Sequence, residues 1–249
     1  MCGIAGFWDL NNKFRPDNLK NIIVKMKDCL KERGPDDSNY WIDKKNNISL
    51  GHTRLSIIET SILGRQPMIS QNKRYVIVFN GEIYNFPSLK QELQNSNIKT
   101  KSNSDTEILL EACSHWGVKK TLLKLSGMFA FALLDKKIMK LYLARDKFGI
   151  KPLYYSLKNN IFLFSSQTKS FLKHPHWKKE ICLKTLGDYL RYGYIPTGKS
   201  IYKNTAQVLP GHYLILNANG FLEKRCYWNI RKKINENENI TINDVENML

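Results

Sequence analysis

A cysteine in second place, within Met1-Cys2-Gly3-Ile4-Ala5-Gly6, constrains this chain more than any other feature. Trimming of the initiator methionine leaves Cys2 with a thiol and a free α-amine on one residue. The thiolate is the reactive form of cysteine, and an N-terminal amine can serve as base for a nucleophile on the same residue. With a pKa near 7.7–8.0, such an amine is about one-tenth to one-fifth unprotonated at pH 7. Gly3 and Gly6 leave room for close backbone approach, and Ile4, Ala5, Phe7 and Trp8 read as a buried strand. Alone, the feature is also what an incidental cysteine at a chain start would look like.

The rest of the chain is able to bury such a strand. Its 249 residues suit one large domain or a domain plus an extension, and 42% hydrophobic content with 11% aromatics supplies a core. No run approaches the roughly 18 apolar residues of a membrane span. Residues 1–9 lack the basic and apolar regions of a secretory leader, whose cleavage would also destroy the nucleophile. Cys2, Cys29, Cys113, Cys182 and Cys226 are odd in number, scattered and without a CxxC pair, so neither a disulfide framework nor a metal site is expected. The chain is expected to be cytoplasmic.

A net charge of +17 invites a nucleic-acid reading. The lysines are widely spread, however, and the densest basic region, Lys169–Arg191, carries no nucleic-acid-binding motif. A solvated basic surface is the better reading.

Periodicity predicts a helix over 19–30 from Leu19, Ile22, Ile23, Met26 and Leu30, ended by Arg33-Gly34-Pro35. Strands are expected at 40–42, 48–58, 75–79, 128–134, 139–144, 153–156 and 161–164. Pro87 opens a helix through Leu89 and Leu93, and Ser104-x-x-Glu107 has the spacing of a capping box ahead of another. Helical pieces at 171–172 and 183–192 precede a closing hairpin around 217–220. Helices and antiparallel-looking blocks alternate without βαβ spacing, which favours an α+β layered fold. From Ile230 the composition turns polar, as in a linker, and Thr241-x-x-Asp244 has the pattern of a further helix start.

Five segments carry the chemistry: Arg33-Gly34-Pro35-Asp36, Gly51-His52-Thr53-Arg54-Leu55-Ser56-Ile57, Asn80-Gly81-Glu82-Ile83-Tyr84-Asn85, Ser104-Asp105-Thr106-Glu107, and 145–154 beginning Arg145-Asp146. Singly, each has a plain reading. Asn80-Gly81 is a hairpin-turn dipeptide, Asp105 favours a helix dipole, and Arg54 suits a salt bridge. In this order after Cys2, they resemble the glutaminase domain of class II glutamine amidotransferases. Arg54-Leu55-Ser56-Ile57 and Asn80-Gly81-Glu82 narrow the resemblance to the asparagine synthetase branch. It covers residues 2–228, leaving 229–249 as a connector.

The resemblance implies an N-terminal-nucleophile fold, a four-layer αββα sandwich of two antiparallel sheets. It implies glutamine as substrate and Cys2 as the nucleophile that forms a γ-glutamyl thioester and releases ammonia. The Asn80 amide and the Gly81 N–H suit the donors that a tetrahedral oxyanion needs, with glycine at 81 permitting close approach. Arg54 suits the α-carboxylate, Asp105 the α-ammonium, and Glu82 the same end. The backbone at Ile58 joins the pocket by resemblance. Arg33, Asp36, Arg145 and Asp146 are expected to scaffold the nucleophile strand as buried charge pairs, and His52 to be structural.

Two departures stand out. Gln167 replaces an expected carboxylate, and no Ser-Gly-Gly-x-Asp-Ser nucleotide loop occurs. ATP and Mg²⁺ are therefore expected only in a synthetase domain, in a longer chain or a separate protein, and no cofactor in this one. Such a domain would amidate aspartate. The alternatives are amidation of another carboxylate, such as a sugar acid, or a non-catalytic basic module binding an acidic partner.

Overall fold

Alternation along the strands decides the layering. In the computed structural model, which describes residues 1–12 and 14–231, the strands are β1 (Gly3–Asp9), β2 (Asp37–Asp43), β3 (Ile48–Arg54), β4 (Met68–Ile69), β5 (Tyr75–Ile83), β6 (Gly127–Asp135), β7 (Lys140–Arg145), β8 (Tyr154–Lys158), β9 (Ile161–Ser165), β10 (Thr205–Gln207), β11 (His212–Asn217) and β12 (Leu222–Cys226). The helices are α1 (Pro16–Asp28), α2 (Phe86–Asn95), α3 (Asp105–Trp116), α4 (Val118–Lys124) and α5 (Leu183–Tyr192). Two six-stranded sheets result, ordered β10-β8-β9-β1-β3-β2 and β12-β11-β7-β6-β5-β4. Neighbouring strands in both run antiparallel.

Successive side chains on a strand face opposite ways, and the buried clusters follow that parity. Ile4 and Trp8 of β1, Ile48 and Leu50 of β3, and Val76 and Val78 of β5 pack together between the sheets. The alternate residues Ala5 and Phe7 turn outward onto Leu19, Ile23 and Met26 of α1. Ile77 and Phe79 turn outward from the second sheet onto α2 and α3, through Leu89, Leu93, Ile108 and Leu109. Helix, sheet, sheet, helix is the αββα sandwich that the sequence led us to expect.

The parity has a consequence for the site. Cys2 continues the Ile4 series, Arg54 the Leu50 series, and Asn80 and Glu82 the Val78 series. All four therefore project into the gap between the sheets, at the end where β1 begins and β3 stops.

Several local expectations are corrected. The strand expected over 48–58 ends at Arg54, because the next backbone donors leave the ladder: Ser56 N–H goes to the Asp36 carboxylate at 2.7 Å. Asn80-Gly81 lies inside β5 and makes no turn. The capping box does not form. Ser104 stands at the N-cap of α3 without a side-chain cap bond, and Glu107 spends its carboxylate on Lys101 N–H, Ser102 N–H and Ser102 Oγ–H. The short helix α4 and strands β4 and β10 are additional. Residues 171–172 belong to a 3-10 turn, α5 falls where expected, and the hairpin around 217–220 joins β11 to β12. Lys173, Lys178, Lys179 and Lys184 are exposed, in keeping with a solvated basic surface. The connector's residues 232–249, with the expected helix from Thr241, lie outside the described residues.

Candidate functional site

One cleft collects every expected site residue. Cys2, Arg54, Ile58, Asn80, Gly81, Glu82 and Asp105 line it, together with Met1, Gln66, Thr106 and Lys151, in a volume of about 610 Å³ partly open to solvent.

The thiol comes first. Cys2 Sγ accepts from Leu55 N–H at 3.4 Å and faces the Leu55 carbonyl at 3.6 Å. Burial pushes the thiol above its usual pKa, against smaller opposing effects of the Leu55 N–H, the chain's α-amine and Arg54. A resting thiol of this kind keeps its proton and needs a base to remove it. The backbone behind it is fastened by Arg33, whose Nε donates to the Cys2 carbonyl at 3.0 Å.

Asn80 supplies the opposite wall from the second sheet. It is 1% exposed, and its Nδ2 has no hydrogen-bond partner among the described residues. A buried amide donor left unpaired costs roughly 1–3 kcal/mol. Folding therefore leaves a donor unpaired at a cost in stability, on a residue that lines the same cleft as the thiol.

Gly81 follows with a different reason for being glycine than the expected one. A side-chain carbon there would collide with the backbone of Met128 and Phe129 on β6. The residue is dictated by strand packing, and room for an incoming ligand is a by-product.

Arg54 closes β3 with its guanidinium held by the following loop: Nη1 donates to the Ser61 carbonyl at 2.9 Å and Nη2 to that of Glu59. Gly64 makes this possible, because any side chain there would overlap the guanidinium. The same loop brings Ile58 to the cleft rim, where its side chain is exposed.

Asp105 opens α3 and reaches back to the sheet, where its Oδ2 accepts from Ile83 N–H at 3.1 Å. It is 6% exposed. Burial, with the Glu82 charge adding to it, lifts its pKa from 3.8 to about 6, against the pull of the Ile83 and Thr106 N–H groups. A carboxylate this dry, with no salt-bridge partner among the described residues, is prepared for a cation.

A testable consequence concerns stability. Between pH 3.8 and about 6 the native state binds more protons at Asp105 than the unfolded chain does. Stability contributed by this site therefore falls as pH rises through that window, and the full penalty applies above it. Asp105→Asn, which keeps an acceptor for Ile83 N–H, should stabilise the protein at pH 7.5 by on the order of 2 kcal/mol. The gain should vanish near pH 3.8. Thermal unfolding at both pH values checks this, and the same shift in Tm at each would refute it.

Arg33, Asp36, Arg145 and Asp146 do scaffold, but not as ion pairs with one another, and only Arg145 and Asp146 are buried; Arg33 is half-buried and Asp36 exposed. Arg145 donates to the carbonyls of Lys151, Val208 and Gly149, at 2.8, 2.7 and 2.5 Å. Asp146 accepts from the N–H groups of Phe129, Phe148, Ile150 and Lys151. Each charge is spent on backbone, shaping the loop that brings Lys151 to the cleft. His52 is fully buried, and its pKa falls to about 4 through desolvation, so it is neutral and structural. Gln167 lies just past β9, outside the cleft, with Oε1 buried and unpartnered among the described residues. Glu59, Gly64, Gln66 and Met128 line the cleft from outside the five segments, and Thr106 and Lys151 lie inside two of them without an expected role.

Among the described residues no helix is long and apolar enough to cross a membrane.

The sequence matches the glutamine amidotransferase domain family over residues 1–228. It is 36% identical over 236 residues to asparagine synthetase [glutamine-hydrolyzing] 3 of Bacillus subtilis, covering 94% of this chain and 37% of that protein. A putative asparagine synthetase [glutamine-hydrolyzing] 2 of Methanocaldococcus jannaschii is 35% identical, with 92% and 47% covered. The chain thus spans between a third and a half of these relatives. Glutamine phosphoribosylpyrophosphate amidotransferase of B. subtilis superposes with a TM-score of 0.61 at 19% identity, over 91% of this chain and 49% of that one. That likeness shows the fold, the sandwich of the N-terminal-nucleophile amidotransferases. The chain belongs to the class II glutamine amidotransferases, as a domain homologous to the glutaminase domains of asparagine synthetases.

Proposed function

We propose that the cleft hydrolyses glutamine with Cys2 as nucleophile, and that the ammonia serves an ATP-dependent amidation of aspartate in a synthetase domain. The observation that carries the first half is the pairing of a buried, unpartnered Asn80 amide with a thiol across the gap between the sheets. After loss of Met1, the α-amine of Cys2 takes the thiol proton as sulfur attacks the carboxamide carbon. The resulting oxyanion meets Asn80 Nδ2–H and the Gly81 N–H. Collapse of the intermediate breaks the C–N bond, and the amine returns the proton to the departing ammonia. Water then hydrolyses the thioester to glutamate.

Arg54 holds the α-carboxylate, with the Ile58 backbone at the same rim. Asp105 holds the α-ammonium, with Glu82 beside it. The greater length of the relatives supports a synthetase domain as partner, since this chain matches 37% of the B. subtilis protein and 47% of the M. jannaschii one. ATP and Mg²⁺ belong to that domain, and this chain's hydrolysis requires no cofactor.

The purified chain should turn glutamine into glutamate and ammonia and, with aspartate and Mg-ATP present, make no asparagine until a synthetase domain is added. Amino-acid analysis of the mixture checks both halves. Asparagine formed by the chain alone would place a second active site within it and overturn the division of labour.

A further inference from the structure

Strand β5 carries Asn80 and Gly81 along an edge that its neighbour does not cover. Pairing with β4 stops at Met68 opposite Ile77. Immediately before Met68 comes Pro67, which has no N–H to extend a ladder. From Val78 onward, the outer edge of β5 has no strand beside it among the described residues. Backbone groups on a strand point alternately to its two sides. Asn80 and Glu82 belong to the side facing β6, while Phe79, Gly81 and Ile83 face the uncovered edge.

Side chains satisfy that edge on either side of Gly81. Phe79 N–H donates to Gln66 Oε1 at 2.6 Å. The Phe79 carbonyl accepts from His52 Nε2 at 3.0 Å. Four residues further on, Ile83 N–H donates to Asp105. Gly81 lies between these fastened points, with its N–H on the uncovered edge and the residue in the cleft lining.

Gln66 has a second attachment. Its Nε2 donates to Thr106 Oγ1 at 3.2 Å, so one buried side chain joins the β5 edge to the first turn of α3, beside Asp105. His52 likewise joins the two sheets, since it stands on β3 opposite Ile4 of β1, two residues from Cys2. The carbonyl can only accept, so Nε2 bears the proton. Neither residue needs to touch the substrate.

We propose that Gln66 and His52 are positioning residues that clamp the Phe79 peptide group in place of a missing strand, and so aim the Asn80 amide and Gly81 N–H at the forming oxyanion. The proposal rests on the glutaminase reading and adds to it the device that fixes its oxyanion donors. A donor that must meet a transient charge is sensitive to displacement in a way that ground-state contacts are not. A 1 Å misplacement can cost about 10²-fold in rate. The clamp therefore acts on kcat, while Arg54 and Asp105 go on holding the α-substituents of glutamine.

The test is steady-state hydrolysis by Gln66→Met, which keeps the length and loses both polar contacts, by His52→Leu, and by His52→Gln, whose Nε2–H can still donate to the Phe79 carbonyl. Gln66→Met and His52→Leu should lower kcat about 10–100-fold with little change in KM. His52→Gln should restore most of the rate. Binding of the γ-aldehyde analogue of glutamine, whose adduct with Cys2 puts an oxygen at the oxyanion position, should weaken in parallel with kcat. Thermal unfolding of each variant shows that the fold is retained, and if one variant fails to fold the other carries the same test. Native kcat in Gln66→Met or His52→Leu, or a rise in KM with kcat unchanged, overturns the clamp. Cys2→Ala in the same assay reads the glutaminase proposal separately. Residual hydrolysis there overturns both, whereas a dead Cys2→Ala beside a fully active Gln66→Met overturns the clamp alone.

Discussion

Protein that retains Met1, or carries an uncleaved N-terminal extension, should hydrolyse no glutamine although it folds normally. Met1 is 54% exposed and lines the mouth of the cleft. While it is present, the basic amine sits one residue away from the thiol that it must serve. Burial keeps that thiol protonated, so without an adjacent base it stays a poor nucleophile. Cys2→Ala should give the same loss, roughly 10⁴-fold or more, as when an enzyme loses its nucleophile. Stability should hardly change in the variant. Arg33 fastens the Cys2 carbonyl, which any residue provides, and the thiol's contacts are long ones to a single neighbour. Ammonia release, measured beside thermal unfolding on trimmed and untrimmed protein, decides the matter. Undiminished hydrolysis with Met1 in place would remove the α-amine from the mechanism.

Asn80→Ala is expected to lower kcat by about 10²–10³, with KM nearly unchanged, because an oxyanion donor acts on the transition state. Its effect on stability should run the other way. Nδ2 is buried and unpaired among the described residues, so removing it relieves a desolvated donor, and the loss of packing around a small side chain offsets this in part. The expected variant is nearly inactive and at least as stable as the native protein. A normal kcat would show that the amide faces something other than the oxyanion. A large drop in Tm would show that it holds the fold together after all.

The sandwich was legible in the sequence because its layers follow from alternation. Apolar runs such as 75–79 and 128–134 mark strands buried on both faces, and the stripe from Leu19 to Leu30 marks a covering helix. The site was legible because its residues lie in long motifs. What escaped was decided by tertiary partners. Asn80-Gly81 has the local chemistry of a turn, yet β6 holds it extended across nine paired positions from Tyr75 to Ile83. Glu107 stands at capping-box spacing from Ser104, but the backbone at 101–102 competes successfully for its carboxylate. Arg145 and Asp146, adjacent and opposite in charge, have the chemistry of an ion pair. Buried carbonyls and N–H groups of their own loop claimed them instead. Gln66 was invisible for a related reason. Its two partners are 13 and 40 residues away, and nothing in the segment around it announces either.

The division of the site between two sheets has a further consequence. Cys2 and Arg54 ride on one sheet, Asn80 and Gly81 on the other. The layer that keeps them aligned is the apolar seam containing Ile4, Leu50, Val76, Val78 and Phe164. That seam works as an alignment gauge as well as a core. A substitution that lets the sheets slide by a fraction of an ångström, while every helix and strand stays folded, detunes the chemistry first. Trimming a methyl group from that seam should therefore lower kcat before it unfolds the protein, although no atom of the seam touches the thiol's substrate.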